Sequence, residues 1–140
     1  MSQSRPETPK GVIAYLTVAD GKAAIAFYKQ AFGATEIYSQ MADDGKRYMH
    51  AQLRINDGLL MLSDDFPEYN GGKPGTPDPN TPRGIALHIE VDNCDATVGS
   101  AAQAGATVTM PPADMFWGDR YARLKDPFGH VWSVASPLKK

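Results

Sequence analysis

Val18-Ala19-Asp20, followed by a helical stretch ending Phe32-Gly33-Ala34-Thr35, comes back later in the chain as Val91-Asp92-Asn93, followed by a helical stretch ending Ala104-Gly105-Ala106-Thr107. The openings lie 73 residues apart and the endings 72. An offset this constant predicts two copies of one structural unit. Each copy opens with a short run rich in branched residues, Gly11 to Val18 and Ile85 to Val91, that ends at an Asp or Asn suited to capping a helix. The helix follows at once. Ile25, Tyr28, Ala31 and Phe32 recur at helical spacing with Gly33 as a C-terminal cap, and Val98, Ala101, Ala102 and Gly105 repeat the plan.

The rest of each copy reads as strands joined by turns. Asp57-Gly58 is a two-residue hairpin signal, Asp126-Pro127-Phe128-Gly129 fits a type I turn, and Gly118-Asp119 reads as a further hairpin turn. The unit is therefore βαβββ, used twice, which places the chain in the α+β class. The expected architecture is two such modules, residues 11–63 and 84–136, whose mixed sheets curve side by side into a cup. Between them, five of the eleven prolines fall from Pro67 to Pro82 beside Gly71, Gly72 and Gly75. Residues 64–83 thus read as a linker inside a single domain spanning 11–136. Residues 1–10, with Arg5, Glu7 and two prolines but no apolar run, read as a flexible tail and not as a secretory signal.

Composition narrows the partners. In 140 residues, 14 Lys+Arg against 16 Asp+Glu leave a net charge of −2 with no basic cluster, which argues against nucleic acid and anionic lipid. The longest uncharged stretch, Ala96 to Ala113, is too rich in Gly, Ser, Thr, Gln and Pro to span a membrane. Cys94 is the only cysteine, so neither an internal disulfide nor a cysteine-based zinc site is possible, and a reducing, cytoplasmic setting is expected.

Helices must cover one face of each sheet, and alternation sorts the strand residues accordingly. Val12, Ala14, Leu16 and Val18 belong against the helix, with Tyr15 and Thr17 on the opposite face; Ala51, Leu53 and Ile55 alternate with His50, Gln52 and Arg54. A loop closed by Asp57-Gly58 pairs Arg54 with Met61 and Gln52 with Ser63. In the second copy Ile85, Leu87, Ile89 and Val91 alternate with Ala86, His88 and Glu90, and the last hairpin sets Tyr121 and Arg123 opposite Val131 and Ser133. Both copies present a polar face with aromatic members, as a small-molecule cleft requires.

Ala26-Phe27-Tyr28 in the first helix, Gly33-Ala34 after it and Asp126-Pro127-Phe128-Gly129-His130 before the last strand resemble the vicinal oxygen chelate superfamily, which includes glyoxalase I, bleomycin-resistance proteins and extradiol dioxygenases. Asp114-Met115-Phe116-Trp117-Gly118-Asp119-Arg120-Tyr121 resembles its PhnB-like branch. The resemblance implies the glyoxalase/bleomycin-resistance fold, a homodimer, and in the enzymes a divalent metal held by His, Gln or Glu. The corresponding positions here are Ile13, Met61, Ala86 and Ser133, none of them a good ligand for a hard cation. The leading expectation is a protein that binds a small organic molecule through Tyr15, Thr17, His50, Met61, His88, Glu90, Trp117, Tyr121, Arg123 and Ser133, with no metal and no cofactor. Two other readings compete: a metal-dependent lyase or isomerase using His50, His88 and Glu90, and a protein-interaction module. Glu90 is expected to pair with Arg123 or Arg54, and Asp64, Asp65 and Glu68 to solvate the linker.

Overall fold

Asp20 and Asn93 turn each module from strand to helix by the same local chemistry. Each has extended backbone, and each side chain accepts the amide of the residue three positions on, Ala23 or Ala96, at 3.0 Å. The computed structural model describes residues 6–78, 80–81 and 84–138; the tail reading for 1–5 and linker positions 79, 82 and 83 lie outside the described residues.

The first module runs β1 (Ala14–Val18), α1 (Gly21–Phe32), β2 (Thr35–Met41), β3 (Tyr48–Ile55) and β4 (Gly58–Asp64). The second runs β5 (Leu87–Glu90), α2 (Cys94–Gln103), β6 (Thr107–Asp114), β7 (Asp119–Lys125) and β8 (Val131–Pro137). Each forms a four-stranded mixed sheet, in the orders β1-β4-β3-β2 and β5-β8-β7-β6, with the first pair parallel and the others antiparallel. The chain divides into two compact units, residues 1–29 with 33–76, and residues 30–32 with 77–140. A short 3-10 turn, Pro67–Tyr69, is the only regular element described between β4 and β5.

Leu16, Val18, Leu53, Leu60 and Leu62 are buried in the first unit and Ile89, Val98, Leu124, Trp132 and Val134 in the second. Gly33 ends α1 in the left-handed region, at φ 69°, as its cap role demands. Asp126 builds the turn before β8: its carboxylate accepts the amides of Phe128 and His130 and the indole N–H of Trp132.

Several expectations are corrected. The β3–β4 hairpin turns on Asn56 and Asp57, not Asp57-Gly58, because Asn56 adopts φ 52°, which Asn tolerates, and Gly58 pairs with Ile55. Gln52 therefore faces Met61, and Arg54 faces Leu59. The sheet faces survive because the register sum changes by two. In the last hairpin Arg123 does face Ser133, whereas Tyr121 faces Ala135. Gly118 belongs to the turn Phe116-Trp117-Gly118, and Asp119 already opens β7. Val12 and Ile85 precede the strands and are exposed, and Ala102 lies on the exposed side of α2, whose buried residues are Cys94, Val98 and Ala101.

The acidic trio is structural. Asp64 is buried and accepts the amides of Gly21 at 2.7 Å and Tyr48 at 2.6 Å, tying the start of α1 and of β3 to the end of β4. A Cβ on Gly21 would stand 2.6 Å from the Asp64 carboxylate and would push it off these amides. In the second module the equivalent bond runs from the Cys94 amide to the smaller Ser136 hydroxyl, which leaves room for a side chain at position 94. Asp65 accepts the amide of Gly75, and Glu68 pairs with Arg47.

Candidate functional site

The polar face of each sheet is built from equivalent rows across four strands. In the first module the row is Tyr15, Met61, Gln52 and Tyr38; in the second it is His88, Ser133, Arg123 and Met110. Side chains in such a row stand about 4.5–5.5 Å apart at Cβ, close enough to act together.

On the first face, Tyr15 Oη and His50 Nδ1 lie 2.8 Å apart, and Gln52 Nε2 lies 3.0 Å from His50 Nε2. With the Gln52 amide nitrogen as donor, His50 Nε2 accepts, so the neutral ring carries its proton on Nδ1 and gives it to the Tyr15 oxygen. Met61 is buried between Tyr15 and Gln52 in register. Gln52 is only 1% exposed, and its Oε1 has no hydrogen-bond partner among the described residues. Alternation places Gln52 on this face, but its burial and unmet acceptor come only from the fold. Thr17 pairs with Ser63 at the end of β1, where a Cβ on Gly75 of the linker would lie 3.5 Å from its methyl group.

On the second face, His88 Nδ1 lies 2.7 Å from Ser133 Oγ and its Nε2 contacts the Glu90 carboxylate. Glu90 therefore pairs with His88, not with Arg123 or Arg54; the side chains of residues i and i+2 share a strand face and need no cross-strand reach. Arg123 is partly buried and makes no ion pair or hydrogen bond among the described residues. The tip supplies aromatic surface: Trp117 meets Tyr121 edge to face at 5.5 Å and is fixed by its indole N–H on Asp119. Phe116, beside it, is fully exposed. Cys94 is a buried filler, its thiol held above the ordinary range by desolvation and its Sγ against the Val134 carbonyl.

The donor set does not fit the divalent metal that the resemblance implies. Ile13 and Ala86 precede their strands, Met61 is a buried thioether, and the Ser133 hydroxyl is engaged by His88. Nor do His50, His88 and Glu90 serve instead. Both ring nitrogens of each histidine are held by residues of its own module, and no three His, Cys, Asp or Glu side chains gather among the described residues.

Comparison with known proteins agrees with this architecture. The chain is 43% identical over 126 residues to an uncharacterised protein of Mycobacterium bovis, covering 90% of this chain and 82% of that one. The crystal structure of protein PA1353 from Pseudomonas aeruginosa superposes with a TM-score of 0.68 at 25% identity, covering 91% of this chain and 98% of that one. The PhnB protein of Bacillus cereus shares the fold at a TM-score of 0.66 and 12% identity, covering 91% and 99%. No described helix is long and apolar enough to cross a membrane. With two βαβββ modules in place and residues 11–134 matching its family description, the chain belongs to the Glyoxalase/Bleomycin resistance protein/Dioxygenase superfamily.

Proposed function

We propose that the protein binds a small organic molecule on its polar sheet faces, and does so without the divalent metal of the superfamily's enzymes. One observation carries the reading. At the same place in each module, beside the position where those enzymes keep a metal ligand, stands a polar group with no hydrogen-bond partner among the described residues: the buried Gln52 Oε1 in the first and the half-buried Arg123 guanidinium in the second. A buried acceptor without a donor costs about 1–3 kcal/mol, and Arg123 keeps five donors that no acid of the described residues takes up. A molecule with an anionic or carbonyl oxygen satisfies Arg123, and its apolar body has the Trp117 and Tyr121 rings to rest on. The buried lone cysteine supports a cytoplasmic setting, and the family's habit supports a homodimer.

Isothermal titration calorimetry with benzoate and phenylphosphonate tests the reading. Saturable heat at one molecule per chain is expected from at least one of them. Absence of heat from both, together with a native mass spectrum free of any co-purifying organic species, overturns it.

A further inference from the structure

On the second module's face, His88 sits between two side chains of opposite hydrogen-bonding character, the Glu90 carboxylate at Nε2 and the Ser133 hydroxyl at Nδ1. A carboxylate can only accept, so the neutral imidazole keeps its proton on Nε2 and presents a lone pair at Nδ1, to which Ser133 donates. A hydroxyl donating to an imidazole whose far nitrogen is held by a carboxylate is the arrangement that activates a serine. Arg123 is the register partner of Ser133 on the side away from His88. A register neighbour is close enough for its guanidinium to reach an oxygen that gains negative charge on a carbon bound by Oγ.

We propose that Ser133 is an acyl-accepting nucleophile toward small carboxylic esters, with His88 as its base, Glu90 orienting His88 and Arg123 stabilising the oxyanion. This rests on the reading of the same face as a ligand site. Ser133 Oγ bonds to the acyl carbon while its proton passes to His88 Nδ1; the carbon–oxygen bond to the leaving alcohol then breaks, and that oxygen takes the proton from Nδ1. Water completes the cycle by adding to the acyl carbon, giving a proton to Nδ1 that returns to Ser133 as the acyl bond to Oγ breaks. The products are an acid and an alcohol. Ser133 is itself only 5% exposed, so an ester must approach Oγ over the His88 ring, whose side chain is 45% exposed. The first module has no such capacity, since Tyr15 and Met61 occupy the equivalent positions.

An alkyl fluorophosphonate, which phosphonylates activated serines, provides the test. Intact-mass and peptide analysis of the whole protein should find one adduct per chain, on Ser133. The adduct should be absent from Ser133→Ala, and labelling should slow by about 100-fold or more in His88→Gln. No adduct on the wild type, an adduct that persists in Ser133→Ala, or an unchanged rate in His88→Gln overturns the proposal. Peptide mapping of the wild type gives the site even if a variant fails to fold. A protein that binds benzoate but takes no label loses the nucleophile and keeps the ligand site; one that does neither loses both.

Discussion

Replacing Arg123 by Met should raise stability and lower affinity at once. Arg123 is half-buried, is the register partner of Ser133 and has no acidic partner among the described residues, so it gives up part of its hydration on folding with little return. Met keeps most of the apolar stem and removes the charge. Relief of the desolvation is worth about 1 kcal/mol, which for a chain of this size raises Tm by about 3 °C. A charged hydrogen bond to a bound carboxylate contributes about 1.5–3 kcal/mol, so benzoate should bind about 10- to 150-fold more weakly. Thermal melts with and without benzoate, alongside calorimetric titration, read both signs in one pair of proteins. A variant that is less stable by 1 kcal/mol or more shows that Arg123 has a structural partner. Unchanged benzoate affinity shows that it is not the anion anchor, and either result refutes the reasoning.

Asp64→Ala leaves the buried amides of Gly21 and Tyr48 without an acceptor and should cost about 3–5 kcal/mol in urea unfolding, against about 1 kcal/mol for Ser136→Ala at the equivalent place. Elemental analysis of dialysed protein is expected to find nickel, zinc and manganese far below one per chain; a value near one, lost in His88→Ala, restores the metal-dependent reading. Asp44 is held from its ordinary 3.8 down to about 2, first by the Arg47 amide, then by the Lys46 amide and the Arg47 side chain, and Glu68 is lowered by Arg47 as well. Because the folded values lie below the unfolded ones, 4.5 for Glu68 and 3.8 for Asp44, this contribution is fully present only above about pH 4.5 and is lost as pH falls below that value, and Glu68→Gln should flatten acid unfolding over that window. Light scattering at micromolar concentration should give a dimer, and a mass of 15.1 kDa would remove that proposal.

What was legible in the sequence is what depends on local chemistry and period. The caps Asp20, Asn93 and Gly33, the Asp126 turn and the repeat offset each rest on neighbours a few residues away, and alternation alone sorts Tyr15, His50, Gln52, His88 and Arg123 onto the polar faces. What was hidden depends on partners far along the chain. Asp64 reads as one of a solvating acidic run until α1 and β3 bring the amides of Gly21 and Tyr48 to it, 43 and 16 residues away. Ser133 and His88 are 45 residues apart and meet only because β5 pairs in parallel with β8, which a crossover helix makes possible and no pattern of either strand announces. The hairpin register hides for a related reason: Asp57-Gly58 is the stronger generic signal, but the tolerance of Asn56 for positive φ lets Gly58 join the ladder.

The same distinction explains why the family resemblance carries fold further than chemistry. The fold depends on many apolar positions, each replaceable by a similar side chain, whereas a metal site depends on a few donors that have no substitute. At the β4 and β8 positions a thioether and a hydroxyl stand where the resemblance implies a metal ligand, and at the β8 position the neighbouring His88 shares the hydroxyl's hydrogen bond. A cation would have tied up that imidazole lone pair. Held by Ser133 on one side and Glu90 on the other, His88 keeps the lone pair that the proposed ester chemistry needs, and Arg123, across Ser133 from it, carries the charge that the proposed anion site needs.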